Sequence, residues 1–148
     1  MKIKLLAAGL VLTLSAGAAL AQVKPEVLVK QRQSAMTLQG KYIGPLAGML
    51  KGAVPFDAGV AARNAAFLDA LSQMPWDGFA ESTKGEKSRA LPVIWTDAAK
   101  FKQTQDQFRT AVGALVTATK GGNEAAVKTA TGDVLKVCNG CHDTFRQN

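Results

Sequence analysis

The residues with the clearest chemical potential lie near the end of the 148-residue chain, in the string Cys138-Asn139-Gly140-Cys141-His142. The pattern Cys-x-x-Cys-His is the attachment signature of a c-type haem. Two thiols can add across the two vinyl groups of haem to give thioethers, and the histidine that follows can bind the iron. On a helix, Cys138 and Cys141 share a face because they are three residues apart. We therefore expect one covalent haem c held through Cys138 and Cys141, with His142 as the axial iron ligand.

Two other kinds of site share part of this pattern. A Cys-x-x-Cys pair can be a thiol-disulfide redox motif, but that motif usually opens a helix after a strand, and no strand pattern precedes this one. A four-coordinate structural zinc site needs more ligands than two cysteines and one histidine, and the whole chain holds only these three. Because all three fall within five residues, haem attachment is the interpretation that we favour.

The N-terminal segment predicts export from the cytoplasm. A positively charged start is followed by an apolar run over residues 5–14, and residues 19–21 read Ala-Leu-Ala. This arrangement is typical of a secretory signal peptide, and the apolar run is too short for a permanent membrane anchor. We expect residues 1–21 to be a cleaved signal peptide. Residues 22–148 then form one periplasmic domain with no membrane span.

The charge of the chain is moderately basic. The formal net charge is +7, which becomes +5 when Lys2 and Lys4 leave with the signal peptide. A basic surface can steer acidic partners, but the lysines are scattered along the chain and no nucleic-acid-binding motif is present. We therefore expect no nucleic-acid partner, and most of the charge indicates solubility.

The remaining sequence predicts four amphipathic helices. Apolar residues recur at helical spacing in four segments, at about residues 25–50, 57–74, 92–120 and 123–145. Asp57 and Asn123 can cap two of these helices, and residues 76–89 lack periodicity and read as one long loop. With short links and no strand signals, the pattern predicts an all-α fold, an antiparallel up-and-down four-helix bundle with covalently bound haem.

In such a bundle, the first half of the first helix lies beside the second half of the fourth. Arg32, Gln33 and Met36 would then face the haem. A guanidinium can bind a haem propionate through paired hydrogen bonds, although Arg32 could also be a solvated surface residue. Met36 lies on an apolar stripe, where a methionine is more often packing than ligand, but a thioether near haem could also bind iron and raise its potential.

The sequence resembles the cytochrome c′ family, the four-helix class of c-type cytochromes with haem attached near the C-terminus. The resemblance rests on residues 30–38, on Leu71 with Pro75-Trp76, on residues 94–97 and on residues 138–146. It covers essentially all of residues 22–148. Cys-x-x-Cys-His alone occurs in many cytochromes, but its C-terminal position together with Arg32-Gln33 and the bundle pattern is specific to this family.

The resemblance implies roles for residues around the haem. Arg32 and Gln33 would lie beside the haem and its propionates, and Met36 would be the bulky apolar residue over the open iron face. Arg146, one helical turn after the iron ligand, would lie near the proximal side. Ser88, in the loop before the third helix, would reach a propionate.

The resemblance also implies a function. Family members typically hold five-coordinate, high-spin iron whose crowded distal face admits small neutral ligands, chiefly NO and CO. Related low-spin members use a first-helix methionine that matches the position of Arg32. Since residue 32 is arginine here, we expect an open iron that binds NO and CO and takes part in electron transfer. The alternative is a low-spin His/Met electron carrier without gas binding, with Met36 as the sixth ligand.

Enzymatic activity is not expected. The chain lacks a distal histidine and any evident acid–base pair, so peroxidase-like proton transfer has no obvious agent. The resemblance further implies periplasmic redox partners and a homodimer, which family members often form through the first two helices. Phe56 and Phe67 in that region could belong either to such an interface or to the core.

Overall fold

The computed structural model describes residues 23–147, so the predicted signal peptide lies outside the described residues. Five helices follow one another along the chain, namely α1 (Pro25–Leu50), α2 (Ala58–Leu71), α3 (Val93–Thr96), α4 (Ala98–Lys120) and α5 (Glu124–Phe145). Because α3 is a single turn, the four long helices form the bundle, and the predicted all-α architecture is confirmed. In this part of the chain, no strand is present and no helix is long and apolar enough to cross a membrane.

The predicted helix starts are set by side-chain caps. Asp57 accepts a hydrogen bond from the backbone N–H of Val60 at 2.9 Å, and Asn123 accepts one from Ala126 at 3.0 Å. Each cap supplies an acceptor for an N–H that has no partner within the first helical turn. Gly122, with a φ of 63°, provides the left-handed turn that separates α4 from α5.

The prediction of one continuous third helix from Pro92 is wrong, because the chain forms two helices, α3 and α4, separated at Asp97. Asp97 has φ −126° and ψ 60°, and its carboxylate accepts a hydrogen bond from the backbone N–H of Lys100 at 3.1 Å. A short acidic side chain can bind backbone groups in this way and begin a new helix. The break leaves α3 free to turn towards the loop, where the indole N–H of Trp95 donates to the carbonyl of Phe79 at 2.9 Å.

The core of the bundle is apolar and nearly solvent-free. Leu46, Leu68, Val112 and Val134, one from each long helix, are at most 1% exposed. A second, smaller cluster lies beside the motif end of α5 and consists of Ile94, Phe101 and Phe145. The Cys-x-x-Cys-His motif therefore lies where the bundle core meets the loop that connects α2 to α3.

The cap of α4 gives a first testable prediction. We expect Asp97→Ala to lower the free energy of unfolding by about 1 kcal/mol, because the Lys100 N–H loses its acceptor. Asp97→Asn should stay close to wild type, since asparagine caps about as well as aspartate. Urea unfolding followed by circular dichroism measures both. Equal stability of the alanine and asparagine variants would show that this cap does not contribute.

Candidate cofactor site

A cavity of about 640 Å³ lies at one end of the bundle, between α1, α4, α5 and the loop of residues 76–90 (the 76–90 loop). Its size is in the range of small-molecule and cofactor sites. The lining includes every residue that the sequence analysis assigned to the site: Arg32, Gln33, Met36, Ser88, Cys138, Cys141, His142 and Arg146. The structure therefore brings these residues together, while their roles towards a haem stay predictions.

The two cysteines line the α5 wall of the cavity. Cys138 and Cys141 are free thiols and are both partly buried. Cys138 packs against the bundle core, and Cys141 packs against the second cluster, which includes Phe101 and Phe145. The apolar stripe of α5 therefore continues into the motif, as its spacing predicted, and presents both thiols to an apolar space.

The surroundings of the cysteines argue against a thiol-disulfide redox site. Burial raises the pKa of Cys138, and burial together with the neighbouring Cys138 sulfur raises the pKa of Cys141 to about 11. A redox-active cysteine needs the opposite shift, because the thiolate is the nucleophile. Among residues 23–147, moreover, no three His, Cys, Asp or Glu side chains converge closely enough to hold a metal ion such as zinc.

The imidazole of His142 lies in the last turn of α5, at the exposed edge of the cavity. Partial burial lowers its pKa, and the positive charges of Arg146 and Arg89 lower it further, while Asp143 acts in the opposite direction. These effects favour the neutral imidazole at neutral pH. The neutral form is the one that binds metals, so the state of His142 fits an iron ligand.

Arg32 lies on the opposite wall and is only 3% exposed. Its guanidinium donates hydrogen bonds to the carbonyl oxygen of Gly78, to the hydroxyl of Thr83 at 3.1 Å and to the hydroxyl of Ser88 at 2.9 Å. The guanidinium carbon also lies 4.5 Å from the centre of the Phe79 ring. Burial lowers the pKa of Arg32, but an arginine remains ionised in proteins. The alternative of a solvated surface arginine is therefore wrong.

The contacts of Arg32 fold the 76–90 loop against α1. The loop contains two short 3₁₀ turns, over Asp77–Phe79 and Glu81–Thr83, where the sequence predicted no regular structure. At Gly78 the loop approaches α1 so closely that an added Cβ would lie 2.6 Å from Cβ of Arg32 and 2.9 Å from the carbonyl oxygen of Leu28. Only glycine permits this approach without a shift of the backbone.

The end of the same loop is bound to the end of α5. The backbone N–H of Leu91 donates to Phe145 O at 3.0 Å, and the N–H of Gln147 donates to Arg89 O at 2.8 Å. The Nε–H of Arg89 donates in turn to Gln147 O at 2.9 Å. This pairing, called the loop–α5 clamp below, includes an isolated antiparallel bridge between Ala90 and Arg146. It places the loop beside the motif.

Phe79 and Arg89 line the cavity but are not among the predicted site residues. Both belong to the 76–90 loop, which has no periodicity that could mark an inward-facing side chain. Met36 and Gln33, which were predicted, lie on the α1 wall, where Met36 is half-buried and Gln33 is exposed. The residues present fit a haem because they combine two thiols, a neutral imidazole, one buried cation and a mainly apolar lining.

The close approach of the loop gives a second prediction. We expect Gly78→Ala to lower the free energy of unfolding by about 1–3 kcal/mol, because the new methyl group overlaps α1 and forces the loop away from Arg32. Gly85→Ala is the matched control, since a Cβ at this glycine meets nothing within 4 Å. Urea unfolding compares the two variants. Equal stability would show that the loop does not depend on this contact.

Comparisons with known proteins agree with this geometry. The family model described as Cytochrome C′ matches residues 27–146. Cytochrome c′ of Rubrivivax gelatinosus is 43% identical over 125 residues, covering 84% of this chain and 97% of the relative. A crystal structure of cytochrome c′ from that organism matches with a TM-score of 0.80 at 42% identity, covering 84% of this chain and 98% of that one. A nitric oxide complex of a variant of cytochrome c prime from Alcaligenes xylosoxidans matches with a TM-score of 0.79 at 40% identity, covering 85% and 98%.

Proposed function

Because this chain belongs to the cytochrome c′ family, we propose that it is a periplasmic cytochrome with one haem c in the cavity, which binds NO and CO and takes part in electron transfer. The observation that carries the proposal is that both thiols and the imidazole of the Cys-x-x-Cys-His motif line one large apolar cavity. The signal-peptide pattern of residues 1–21 supports a periplasmic location, since c-type haem is attached outside the bacterial cytoplasm. The proposal assigns no catalytic residue.

On the α5 wall, Cys138 and Cys141 would hold the group through two thioethers, and His142 would bind the iron. When bound, haem supplies an iron that changes oxidation state and can take a diatomic gas. The protein supplies attachment, orientation and an apolar surrounding.

On the α1 wall, Arg32 would bind a haem propionate. A guanidinium has five N–H donors, and the described contacts with Gly78, Thr83 and Ser88 use three of them. The remaining donors can meet a carboxylate, for which the planar guanidinium is well shaped. The hydroxyl of Ser88, already beside Arg32, would lie within reach of the same propionate.

Met36 would cover the open face of the iron without binding it. It lines the cavity together with Ile43 and Leu68, and a methionine among aliphatic side chains is usually packing. Such a surrounding favours neutral diatomic gases over water or anions. Because Met36 and His142 line the same cavity, a six-coordinate His/Met electron carrier is the alternative that experiment must exclude.

The coordination state gives a third prediction. We expect ferric wild type to show a high-spin electron-paramagnetic spectrum and the ferrous form to bind NO. Met36→Leu should keep the high-spin spectrum, because leucine fills similar volume without a sulfur ligand. Met49→Leu, in the core of the same helix and 5% exposed, is the matched control. A low-spin wild type that turns high-spin only in Met36→Leu would establish the His/Met carrier instead.

A homodimer through α1 and α2 forms part of the proposal. Phe56 is half-buried and packs against the core, whereas Phe67 on α2 is 44% exposed and its ring lies 4.7 Å from that of Tyr42 on α1. Leu38, one turn before Tyr42 on the same side of α1, is 40% exposed. These side chains form an apolar patch across both helices that a second copy would cover.

The patch gives a fourth prediction. We expect Phe67→Glu to weaken dimerisation at least about tenfold, because it places a charge in the centre of the apolar contact. Val54→Glu is the matched control, since Val54 is 45% exposed but lies in the link between α1 and α2. Sedimentation velocity over a concentration series measures the association. A monomeric wild type, or equal behaviour of both variants, would contradict this interface.

A further inference from the structure

Two exposed positive charges lie at the opening of the cavity. Arg89 and Arg146 line the cavity and are exposed, as are the uncharged Gln33 and Asn139. In the described part of the chain, no aspartate or glutamate lines the cavity. We call Arg89 and Arg146 the cationic rim.

The two arginines of the cationic rim lie close together beside His142. Arg146 is paired with Ala90 in the loop–α5 clamp, and Ala90 directly follows Arg89 in the sequence. The backbone N–H of Arg146 also donates to the carbonyl oxygen of His142 at 3.1 Å, and the neighbouring Asp143 is exposed. Two positive charges therefore face one negative charge at this edge of the cavity.

The charge of the rim is not neutralised within the described chain. Four ion pairs are formed by residues 23–147, and none of them includes Arg89 or Arg146. Elsewhere on the surface, Lys102 pairs with Asp106 and Lys128 pairs with Glu124. A positive patch at the mouth of a cleft attracts negatively charged partners and raises their rate of association.

We propose that the cationic rim is the docking surface for an acidic redox protein, whose carboxylate cluster binds Arg89 and Arg146 while the two proteins exchange electrons. The inference rests on the proposed function, because a haem in this cavity makes its opening the shortest path for an electron. With haem bound, one electron would pass from the reduced partner to the ferric iron, which would become ferrous, and the partner would be oxidised by one electron. No atom is transferred.

The guanidinium groups of the cationic rim suit direct contacts with carboxylates of a partner, and not only long-range attraction to its net negative charge. A guanidinium binds a carboxylate through two parallel hydrogen bonds. Arg89 is held at its backbone carbonyl and at its Nε–H by Gln147, so part of its side chain is already ordered before a partner arrives. Less conformational entropy is lost on binding when the contact residues are preorganised.

A pair of small reductants tests the charge at the site of electron entry. Ferric holoprotein is reduced by the semiquinone of flavin mononucleotide, which carries a phosphate, and by that of lumiflavin, which does not. We expect the ratio of the two rates, at low ionic strength, to fall about threefold in Arg89→Glu and in Arg146→Glu. The lumiflavin rate corrects for any change in the haem itself. Arg89→Glu removes the side-chain hydrogen bond from Arg89 to Gln147 in the clamp. Arg146→Glu is therefore tested as well, because it leaves that bond in place.

Lys120→Glu is the matched control for the same change of charge. Lys120 ends α4, next to the start of α5, and the 22 residues of α5 put it roughly 30 Å from the rim. The ratio of rates should stay within about 1.5-fold of wild type in this variant, because salt and distance screen the charge. Equal falls in Lys120→Glu and the rim variants would show that only net charge matters and would overturn the proposal.

A protein partner completes the test. Reduced flavodoxin, a small acidic flavoprotein, is mixed with ferric holoprotein in a stopped-flow instrument. We expect the second-order rate constant to fall about tenfold in each rim glutamate variant and its salt dependence to weaken, while Arg146→Lys stays within about threefold. If the flavin ratio falls but the flavodoxin rate does not, the rim attracts small anions only and the docking proposal is wrong. If wild type holds no haem, the proposed function fails, which is a separate result.

Discussion

The buried guanidinium of Arg32 is the interaction on which the site depends. Removing a charged group from water costs several kcal/mol unless hydrogen bonds replace its hydration, and arginine cannot escape that cost by losing its proton. Gly78, Thr83 and Ser88 supply the replacement, and all three belong to the 76–90 loop. The loop both covers Arg32, which is 3% exposed, and supplies the acceptors that replace its hydration, so burial of the charge and folding of the loop against α1 depend on each other.

The same loop joins the two walls of the cavity. At one end it accepts the hydrogen bonds of Arg32 on α1, and at the other end it forms the loop–α5 clamp beside the motif. These two attachments add to the direct packing of α1 on α5 in the bundle core and tie together the wall that carries Met36 and the wall that carries Cys138 and Cys141. The loop thus closes one side of the cavity, and it also supplies Arg89 to the cationic rim.

The helices and the motif were predictable because their signals are local. Helical spacing, the caps at Asp57 and Asn123 and the string Cys-x-x-Cys-His each depend on residues close together in the sequence. The break at Asp97 was missed because the apolar pattern continues across it, while the capping carboxylate acts on the backbone alone. The path of the 76–90 loop was not predictable, since Arg32 is bound to neutral groups from 46 to 56 residues away that no spacing rule connects.

Covalent attachment of a single haem through Cys138 and Cys141 is the central claim, because the open iron, the gas ligands and the electron transfer all follow from it. The most direct measurement is the intact mass of the protein, purified from the periplasm of cells that attach c-type haem and then unfolded before analysis. We expect the mass of residues 22–148 plus one haem in wild type, and the polypeptide mass alone in the double variant Cys138→Ser with Cys141→Ser. A wild-type polypeptide that is free of haem after unfolding would contradict the claim.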